Sequence, residues 1–329
     1  MGGDHGPDVT VAAAAQALKR VSSLELVIVG DESRVTPVLK QHGLSNNARV
    51  EFVHAPQVVG MEERPSAALR GKRESSMRRA IDCVKSGDAA ASVSAGNTGA
   101  LMTIARFVLK TLPGVDRPAI CSTMPGLERS THMLDLGANV DSTSAELFRF
   151  AVMGSVFAES IDNRSNPSVA LLNIGEEEIK GNDRVKQTAA LLENSPLNYV
   201  GFAEGNDIFA GKFDVVVCDG FVGNVALKSS EGVARMLSDM ASQEFRRTWL
   251  TRFGALCAMP SLKALKNRAD PRHYNGASLL GLRGTVVKSH GSADMVSFGT
   301  AIDVAVAEAE KSVPTRISHL LEELLQESE

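Results

Sequence analysis

The fold of this chain is decided by the stretch Asp214-Val-Val-Val-Cys-Asp-Gly-Phe-Val-Gly-Asn-Val-Ala-Leu-Lys228. Its first part, Asp214–Cys218, is a short β-branched apolar run, which is typical of a strand buried on both faces. Asp219-Gly220 ends that run, and Gly223-Asn224 predicts a second break before a helix. From Ala226 to Met240 the apolar residues lie on one helical stripe. A strand, a glycine-bearing polar loop and a helix in this order indicate a site at the carboxyl end of a parallel strand.

The same order recurs along the chain, and this recurrence predicts an α/β fold with a mostly parallel central sheet. Further units of this kind lie at Ala89–Ala100, His132–Asp141, Ser168–Asp183 and Gly284–Asp294. Met1–Pro7 is a loop of the same kind with no strand before it, so we expect that the chain starts late relative to its fold. Because carboxyl ends of parallel strands share an edge, we expect these loops to line one rim of the sheet.

The composition is that of an ordinary soluble globular protein. Of 329 residues, 43% are hydrophobic and 22% are charged, and the net charge is −4. This charge gives no global electrostatic case for nucleic acid as a partner. We expect a single α/β/α domain over residues 1–329.

The cysteines and the apolar runs bear on where the protein works. The four cysteines are far apart and have neither a CxxC motif nor a histidine at ligand spacing. We therefore expect reduced thiols in a cytoplasmic protein. No apolar run approaches the roughly 18 residues of a membrane-spanning helix, and the first residues do not have the pattern of a signal peptide.

One segment, about residues 240–272, departs from the α/β pattern and is expected to form a helical excursion rich in basic and apolar residues. Phe245–Arg268 contains no acidic residue and holds the only tryptophan, Trp249. Two interpretations are open for it. It is either an oligomer interface or a basic amphipathic element that touches an anionic membrane, and both could occur at the tip of a dimer.

A second basic cluster lies in Met61–Lys85, which is expected to be mostly helical. Its cations form either a solvated helix face or a docking surface for an acidic partner or a phosphate group. They are Arg64, Arg70, Lys72, Arg73, Arg78 and Arg79.

The polar residues at the predicted strand ends favour binding of an anion such as phosphate. Among these residues, side chains with neutral hydrogen-bond donors and side chains with positive charge outnumber the carboxylates. Backbone N–H groups at helix N-termini also favour the binding of an anion. A metal site is disfavoured, since no pair of histidines or carboxylates has ligand spacing, and no cofactor is expected. The set comprises Asp4, Ser94, Asn97, Thr98, Asn139, Lys180, Asn182, Asp219, Asn224, Lys228, Lys288 and His290.

Some of these residues also have plainer interpretations. Lys180 could be an ordinary surface lysine, although it follows a strand end, where α/β proteins build sites. His290 could be structural. Cys218, next to Asp219, lies in the predicted buried strand, which favours an inert core thiol over a nucleophile. The chain also lacks a G-x-S-x-G elbow, the usual context of a hydrolase serine.

Seven blocks of sequence carry a family resemblance. They are Gly2–Pro7, Ser94–Ala100, Asp135–Asn139, Asn173–Asn182, Asp219–Asn224, Tyr274–Gly281 and Lys288–Gly291. In this order, and over essentially the whole chain, they resemble the bacterial phosphate acyltransferases of phospholipid synthesis, the acyl-[acyl-carrier-protein]–phosphate acyltransferases. Members of that family carry a first strand ahead of the Gly-Gly-Asp loop, and this chain departs from them there.

The resemblance implies a three-layer α/β/α fold like that of phosphotransacetylases and isopropylmalate-type dehydrogenases, and a homodimer. It implies a reaction in which long-chain acyl-carrier-protein thioester and inorganic phosphate give acyl phosphate, which feeds phospholipid (phosphatidic acid) synthesis. It also implies peripheral contact with the membrane surface and with a membrane glycerol-3-phosphate acyltransferase.

That reaction suggests roles for the strand-end residues. Lys180, Lys288 and His290 would hold phosphate, and Asp219 would orient a cation or accept a proton. Amide donors would stabilise the tetrahedral oxyanion, where one donor is typically worth about 10²–10³ in rate. We expect catalytic roles for Lys180, Asn182, Asp219, Asn224 and His290, and substrate binding by Asp4, Ser94, Asn97, Thr98, Asn139, Lys228 and Lys288.

Three other functions stay open. A short-chain phosphotransacylase would use coenzyme A in place of a carrier protein. A nicotinamide-dependent dehydrogenase could share the related fold, although the chain lacks the metal-binding aspartate cluster and the adenosine-binding pattern. A membrane-associated scaffold for carrier protein would have no activity at all.

Overall fold

The structure is a computed structural model, and it describes residues 1–268 and 270–326. The predicted domain 1–329 and the predicted excursion 240–272 therefore include residues that lie outside the described ones, namely 269 and 327–329. The division into domains stays a prediction.

The described residues alternate between strands and helices for most of their length. The strands are β1 (Leu26–Gly30), β2 (Val50–His54), β3 (Ala91–Ser94), β4 (Ala119–Met124), β5 (Thr131–Leu134), β6 (Val169–Leu172), β7 (Tyr199–Ala203), β8 (Val215–Val217), β9 (Ala277–Leu280) and β10 (Thr285–Lys288). The helices are α1 (Pro7–Arg20), α2 (Glu32–Gln41), α3 (Pro65–Gly71), α4 (Ser76–Ser86), α5 (Thr98–Leu109), α6 (Ser144–Asp162), α7 (Asp183–Glu193), α8 (Gly205–Ala210), α9 (Gly220–Arg246), α10 (Trp249–Cys257), α11 (Met259–Arg268), α12 (Met295–Glu310) and α13 (Val313–Gln326), with a 3-10 helix at Pro271–Tyr274.

An eight-stranded sheet in the order β3-β10-β9-β4-β5-β8-β6-β7 forms the centre of the fold. Helices α6 and α13 pack on one face, where Phe150, Met153 and Ile317 are fully buried. Helices α4 and α5 pack on the other face, where Ile81 and Leu101 are fully buried. The predicted three-layer α/β/α fold with a mostly parallel sheet is confirmed.

Strand direction divides this sheet into two halves. Strands β3 and β10 are parallel to each other, and β5, β8, β6 and β7 are parallel to one another. Between the halves, β10 pairs antiparallel with β9, β9 with β4, and β4 with β5. The carboxyl ends of β3 and β10 therefore point away from those of β5 and β8.

The expectation that all the polar loops line one rim is wrong for this reason. Three successive antiparallel pairings reverse the strand direction between β10 and β5. Strand β9 was not predicted from the sequence, and neither was its antiparallel pairing with β4 and β10. The site residues therefore fall into two groups at different edges of the sheet.

The stretch Asp214–Lys228 forms β8 and the start of α9. All three residues of β8 are buried, as the β-branched run predicts. Helix α9 begins at Gly220, where the Asp219 carboxylate accepts a 3.0 Å hydrogen bond from the N–H of Val222. The predicted break at Gly223-Asn224 is wrong, because these residues lie inside α9. Gly223 has a packing role instead: a Cβ there would overlap the carbonyl oxygen of Asp135.

Strands β1 and β2 form a separate parallel pair. Helices α1 and α2 cover it and bury Val11, Leu18, Val35 and Leu39. A cavity of about 680 Å³ separates this pair from the main sheet and is lined by residues of both β1 and β3.

The excursion predicted around residues 240–272 contains the end of α9 and the helices α10 and α11. Helix α10 packs against α9, and α11 packs against α10. Several large apolar side chains of this segment are exposed to solvent, and Trp249 is 75% exposed. Within the described residues, no helix combines the length and the apolar character needed to cross a membrane.

Candidate active site

The first group of site residues gathers where β3 and β10 end. The backbone N–H of Asp4 donates a 2.8 Å hydrogen bond to the carbonyl of Gly291. The N–H of Ser289 donates a 2.9 Å bond to the carbonyl of Ser94. The loop before α1 and the ends of both strands are thereby held together.

Lys288 is the most strongly perturbed cation of this group. It is buried at the end of β10, and its Nζ donates to the carbonyl of Ser289. Burial lowers the pKa of Lys288 to about 8, the nearby Asp4 carboxylate opposes that effect, and Lys228 adds to it. A bound anion would relieve the cost of the buried positive charge.

His290 presents one ring nitrogen to solvent. Its Nδ1 accepts a 3.2 Å hydrogen bond from the N–H of Ser292 and lies 2.8 Å from the Ser292 hydroxyl. A neutral ring in this arrangement carries its proton on Nε2. Among the described residues no hydrogen bond occupies Nε2, so it is free to donate to a ligand.

Asn275 positions this turn, and sequence reasoning did not select it. Its Nδ2 donates to the Ser289 hydroxyl at 2.8 Å and to the Ser297 carbonyl at 2.7 Å. Its Oδ1 accepts a 3.0 Å bond from the N–H of His290. The only available signal was its place in the family-like block Tyr274–Gly281.

The loop after β3 has few free donors. Asn97 caps α5 by accepting a 3.0 Å bond from the N–H of Ala100, and its Nδ2 donates to the Met61 carbonyl at 2.7 Å. Its amide therefore holds loops together in this structure. Thr98 is exposed in the first turn of α5, where helix N–H groups lack intrahelical partners. Ser94 accepts a 3.2 Å bond from the N–H of Gly96.

The second group lies where β5 and β8 end, and Asp135 is its centre. The buried Asp135 carboxylate accepts hydrogen bonds from the N–H groups of Ile120 and Ala138, each at 3.0 Å, and from that of Asn139 at 2.6 Å. Burial raises the pKa of Asp135, and these bonds oppose the rise. Sequence reasoning quoted the block that Asp135 opens but did not select this residue.

Asn139 supports the same loop. Its side chain is buried, and its Nδ2 donates to the Pro118 carbonyl at 2.9 Å and to Asp135 at 3.0 Å. Its own carbonyl accepts from the N–H of Gly220, at the start of α9. Asn139 thus fixes the loop, and its predicted contact with substrate stays a prediction.

Arg184 joins the neighbouring loops and was also not selected from the sequence. One guanidinium nitrogen lies 3.9 Å from the Asp219 carboxylate, and another pairs with Asp141. The other Asp219 oxygen caps α9. Asp219 therefore stands beside a cation, one of the two roles expected for it.

The remaining predicted catalytic residues lie around these loops. Lys180 is exposed, with its Nζ 3.8 Å from the Glu177 carboxylate. Asn182 caps α7 by accepting a 3.0 Å bond from the N–H of Val185, and its amide nitrogen has no protein partner among the described residues. Asn224 is exposed and packs over Gly137, in the loop after β5.

Helix α9 connects the two groups. Asp219 caps its start, Asn224 follows in its second turn, and Lys228 stands one turn further on. From Gly220 to Lys228 the helix rises about 12 Å. Since Lys228 affects the pKa of Lys288, α9 extends from the second group to the neighbourhood of the first.

Thiol and metal chemistry receive no support from the geometry. Cys218 is buried, and burial raises its pKa well above the ordinary range, in agreement with an inert core thiol. In the described part of the chain, no three His, Cys, Asp or Glu side chains are grouped so that they could hold a metal ion.

Comparison with solved structures defines the class of fold. The chain is similar to the EutD phosphotransacetylase from Staphylococcus aureus, with a TM-score of 0.61 at 18% identity over 93% of this chain and 92% of that one. It is also similar to a phosphotransacetylase from Streptococcus pyogenes, with a TM-score of 0.62 at 20% identity over 93% and 92%. These likenesses confirm the phosphotransacetylase-like α/β/α fold.

Sequence comparison gives the family. A family model described as "Fatty acid synthesis protein" matches residues 1–316. A phosphate acyltransferase from Alkalilimnicola ehrlichii is 59% identical over 325 residues, which cover 99% of this chain and 95% of that protein. One from Nitrosococcus oceani is 57% identical over 329 residues, 100% of this chain and 97% of the relative.

The chain belongs to the phosphate acyltransferase family. It is an acyltransferase enzyme, as the resemblance predicted, and the family model connects it with lipid synthesis.

Proposed function

We propose that this protein makes acyl phosphate from long-chain acyl-[acyl-carrier-protein] and inorganic phosphate, and that the product feeds phosphatidic acid synthesis. The observation that carries the proposal is the buried Lys288, close to Asp4 and Lys228, at the carboxyl end of β10. A buried cation of this kind favours the binding of an anionic substrate. Membership of the phosphate acyltransferase family supports acyl transfer as the reaction.

Phosphate binds at the first group in this proposal. A phosphate dianion compensates the positive charge of Lys288, which burial otherwise disfavours. Lys228 adds a second cation, and the Thr98 hydroxyl and the N–H groups that open α5 add donors. His290 adds its free Nε2.

The chemical step needs orientation more than activation. One oxygen of HPO₄²⁻ attacks the thioester carbonyl carbon and forms a C–O bond, which gives a tetrahedral intermediate. The C–S bond breaks when this intermediate collapses. The proton of the phosphate passes to the departing sulfur, directly or through His290, and the products are acyl phosphate and free thiol. Positioning both reactants in one ternary complex contributes several kcal/mol toward this barrier.

The second group then stabilises the negative charge that develops on the thioester oxygen. Asn182 and Asn224 offer amide donors on exposed side chains. Arg184 offers a cation, and Asp219 orients it in this proposal, because one Asp219 oxygen faces the guanidinium and the other caps α9. Lys180, exposed beside this loop, takes the phosphate end of the tetrahedral intermediate.

The proposal includes a cytoplasmic homodimer attached to the membrane surface. Helix α9 exposes an apolar stripe, with Val233, Met236, Leu237 and Met240 each 51–57% exposed, that suits a second copy of the chain. Helix α10 exposes Trp249 and Phe253, near Arg252, and suits an anionic lipid surface. From there acyl phosphate reaches a membrane glycerol-3-phosphate acyltransferase.

The decisive experiment measures thiol release from long-chain acyl-carrier-protein thioester, with hydroxylamine trapping of acyl phosphate. Release that requires phosphate and yields trapped acyl hydroxamate supports the proposal, and equal release without phosphate refutes it. Parallel assays with short-chain acyl-coenzyme A test the phosphotransacylase alternative, and a nicotinamide titration tests the dehydrogenase. A scaffold shows none of these activities.

A further inference from the structure

A cationic groove of about 490 Å³ lies beside the candidate site. The groove is lined by Met102 and Arg106 of α5, by Lys110, which follows the last residue of α5, and by Arg117. The groove reaches Asn139, in the loop that holds Asp135. It therefore opens next to the second group of site residues but takes no part in the chemistry proposed above.

Positive charge on this surface is largely uncompensated. Within the described residues, Arg106, Lys110 and Arg283 have no ion pair with a carboxylate; Arg106 donates to the Asp116 carbonyl at 3.1 Å and Arg283 to the Thr111 carbonyl at 2.9 Å. Arg117 lies 3.9 Å from the Glu146 carboxylate, a long contact. All four side chains belong to exposed residues.

Several charges near the groove are paired. Arg78 and Arg79 of α4 form ion pairs with Asp82 and Glu74, and the Asp116 carboxylate pairs with Arg149 at 2.9 Å. These pairs fit the solvated-face interpretation of α4. At the groove and its rim, by contrast, three of the four cations have no carboxylate partner among the described residues, and the fourth, Arg117, has only the long contact with Glu146.

An aromatic side chain stands among these cations. Phe107 is 53% exposed, with the Lys110 Nζ 4.9 Å and the Arg78 guanidinium 5.9 Å from its ring centroid. Exposed aromatic and arginine side chains are enriched at protein interfaces. The α5 helix dipole favours cations at its C-terminal end and accounts for Arg106 and Lys110, but Arg117 and Arg283 lie on other segments.

Helix α5 leads from this groove to the phosphate-binding loop. Thr98 is at its start, Met102 and Arg106 follow at successive intervals of four, and Lys110 comes directly after its last residue. The distance along the axis from Thr98 to Lys110 is about 18 Å. A partner seated on the groove could therefore extend a flexible thioester arm along α5 to the site.

We propose that this groove docks the acidic carrier protein that delivers the acyl thioester, with Phe107 as the apolar anchor and Arg106, Lys110, Arg117 and Arg283 as the complementary charges. The inference rests on the proposed function. The concave shape of the surface favours a folded acidic partner over a lipid bilayer, and the spread of its cations over several segments favours a protein over one phosphate group.

The test compares Arg106→Glu/Lys110→Glu with the unmodified protein and with Lys40→Glu, a charge reversal of an exposed lysine at the end of α2. In the double variant we expect the KM for acyl-carrier protein to rise about tenfold or more. The kcat, the KM for phosphate and the rate with an acyl thioester of pantetheine stay unchanged. Lys40→Glu changes none of these quantities.

Binding is measured separately from turnover, by fluorescence anisotropy of labelled carrier protein. If the unmodified protein binds the carrier but shows no phosphate-dependent thiol release, the proposed function fails and the docking surface stands. If the double variant binds the carrier as the unmodified protein does, the docking proposal fails. Phe107→Ala, which changes no charge, must also weaken carrier binding, and thermal unfolding of each variant shows that it is folded.

Two other outcomes identify a different occupant and overturn the proposal. A loss of rate with acyl-coenzyme A and not with carrier protein would assign the groove to the coenzyme's nucleotide. A loss of sedimentation with anionic phosphatidylglycerol vesicles, at unchanged carrier binding, would assign it to the membrane.

Discussion

Asp4, in the loop before α1, and Gly291, in the loop after β10, are joined at the site, since the N–H of Asp4 donates a 2.8 Å hydrogen bond to the Gly291 carbonyl. This bond keeps the Asp4 carboxylate near Lys288, where it opposes the effect of burial on the lysine pKa. The charge state of Lys288 therefore depends on a loop that precedes α1. The first prediction follows from this dependence.

We predict that phosphate binding weakens as the pH rises through about 8. Burial lowers the pKa of Lys288 from 10.5 to about 8, so the lysine loses its charge above that pH while Arg keeps it. The KM for phosphate, measured from pH 6.5 to 9.5, should rise on the alkaline side in the unmodified protein. Lys288→Arg should remove this rise. If the KM for phosphate rises equally above pH 8 in both proteins, a group other than Lys288 is responsible for the pH dependence.

At neutral pH, Lys288 should lower the stability of the folded protein while it improves phosphate binding. At neutral pH the buried charge costs free energy in the folded state, and the cost is relieved as the pH rises from about 8 toward 10.5. We predict that Lys288→Met lowers kcat/KM for phosphate about 10²-fold yet leaves the melting temperature equal or higher at pH 7. Kinetics and calorimetry on one preparation check both parts, and a marked loss of stability would contradict the second.

A buried carboxyl far from the chemistry should control the pH dependence of stability. Glu308 is buried against the Ser278 hydroxyl, and burial raises its pKa to about 8. A raised carboxyl pKa gives stability that is fully present below the unfolded value and is lost as the pH rises toward about 8. We predict that Glu308→Gln melts a few degrees higher than the unmodified protein at pH 8.5 but not at pH 5. Parallel melting curves at both pH values would rule this out.

Two glycines of α9 should respond to alanine in opposite ways. A Cβ at Gly223 would overlap the Asp135 carbonyl oxygen, whereas one at Gly232 meets nothing within 4 Å. We predict that Gly223→Ala loses activity and several kcal/mol of stability, while Gly232→Ala gains about 0.5–1 kcal/mol from helix propensity. Urea unfolding measures both. Equal effects would show that α9 does not depend on its contact with the loop after β5.

Arg184 should act on the rate more than on phosphate binding. If it stabilises the developing oxyanion, Arg184→Met should lower kcat about 10²–10³-fold and leave the KM for phosphate nearly unchanged. Asp141→Asn is the matched control, since Asp141 pairs with Arg184 but is largely exposed, and its effect should be small. If only the KM for phosphate changes, Arg184 contributes to substrate binding and does not stabilise the transition state.

Local patterns in the sequence were enough to predict most of the strands and helices, whereas the roles of the selected site residues stay predictions. The run Val215–Val217 is buried as its β-branched residues indicate, and Lys288 was selected because it follows such a run. Strand direction was not predictable, because it depends on the pairing of β9 with β4 and β10, which are distant in sequence.

The candidate site residues that were not selected from the sequence were missed for one common reason. Asn275, Asp135 and Arg184 act through partners on other segments: the His290 turn, the loop at Asn139 and the cap of α9. No local pattern marks such a role. Asn97 is the opposite case. It was selected as a hydrogen-bond donor to phosphate, but its side-chain amide already makes hydrogen bonds with Met61 and Ala100.

The length of α9 has a consequence for transport. Its 27 residues span about 40 Å, which exceeds the roughly 30 Å thickness of a bilayer's hydrocarbon core. Asp219 caps one end of this rod, and α10 with its exposed Trp249 follows the other. If, as proposed, α10 rests on lipid and acyl transfer takes place beside Asp219, acyl phosphate forms as much as about 40 Å from the headgroups. It would then have to travel that distance along the protein to reach a membrane acyltransferase.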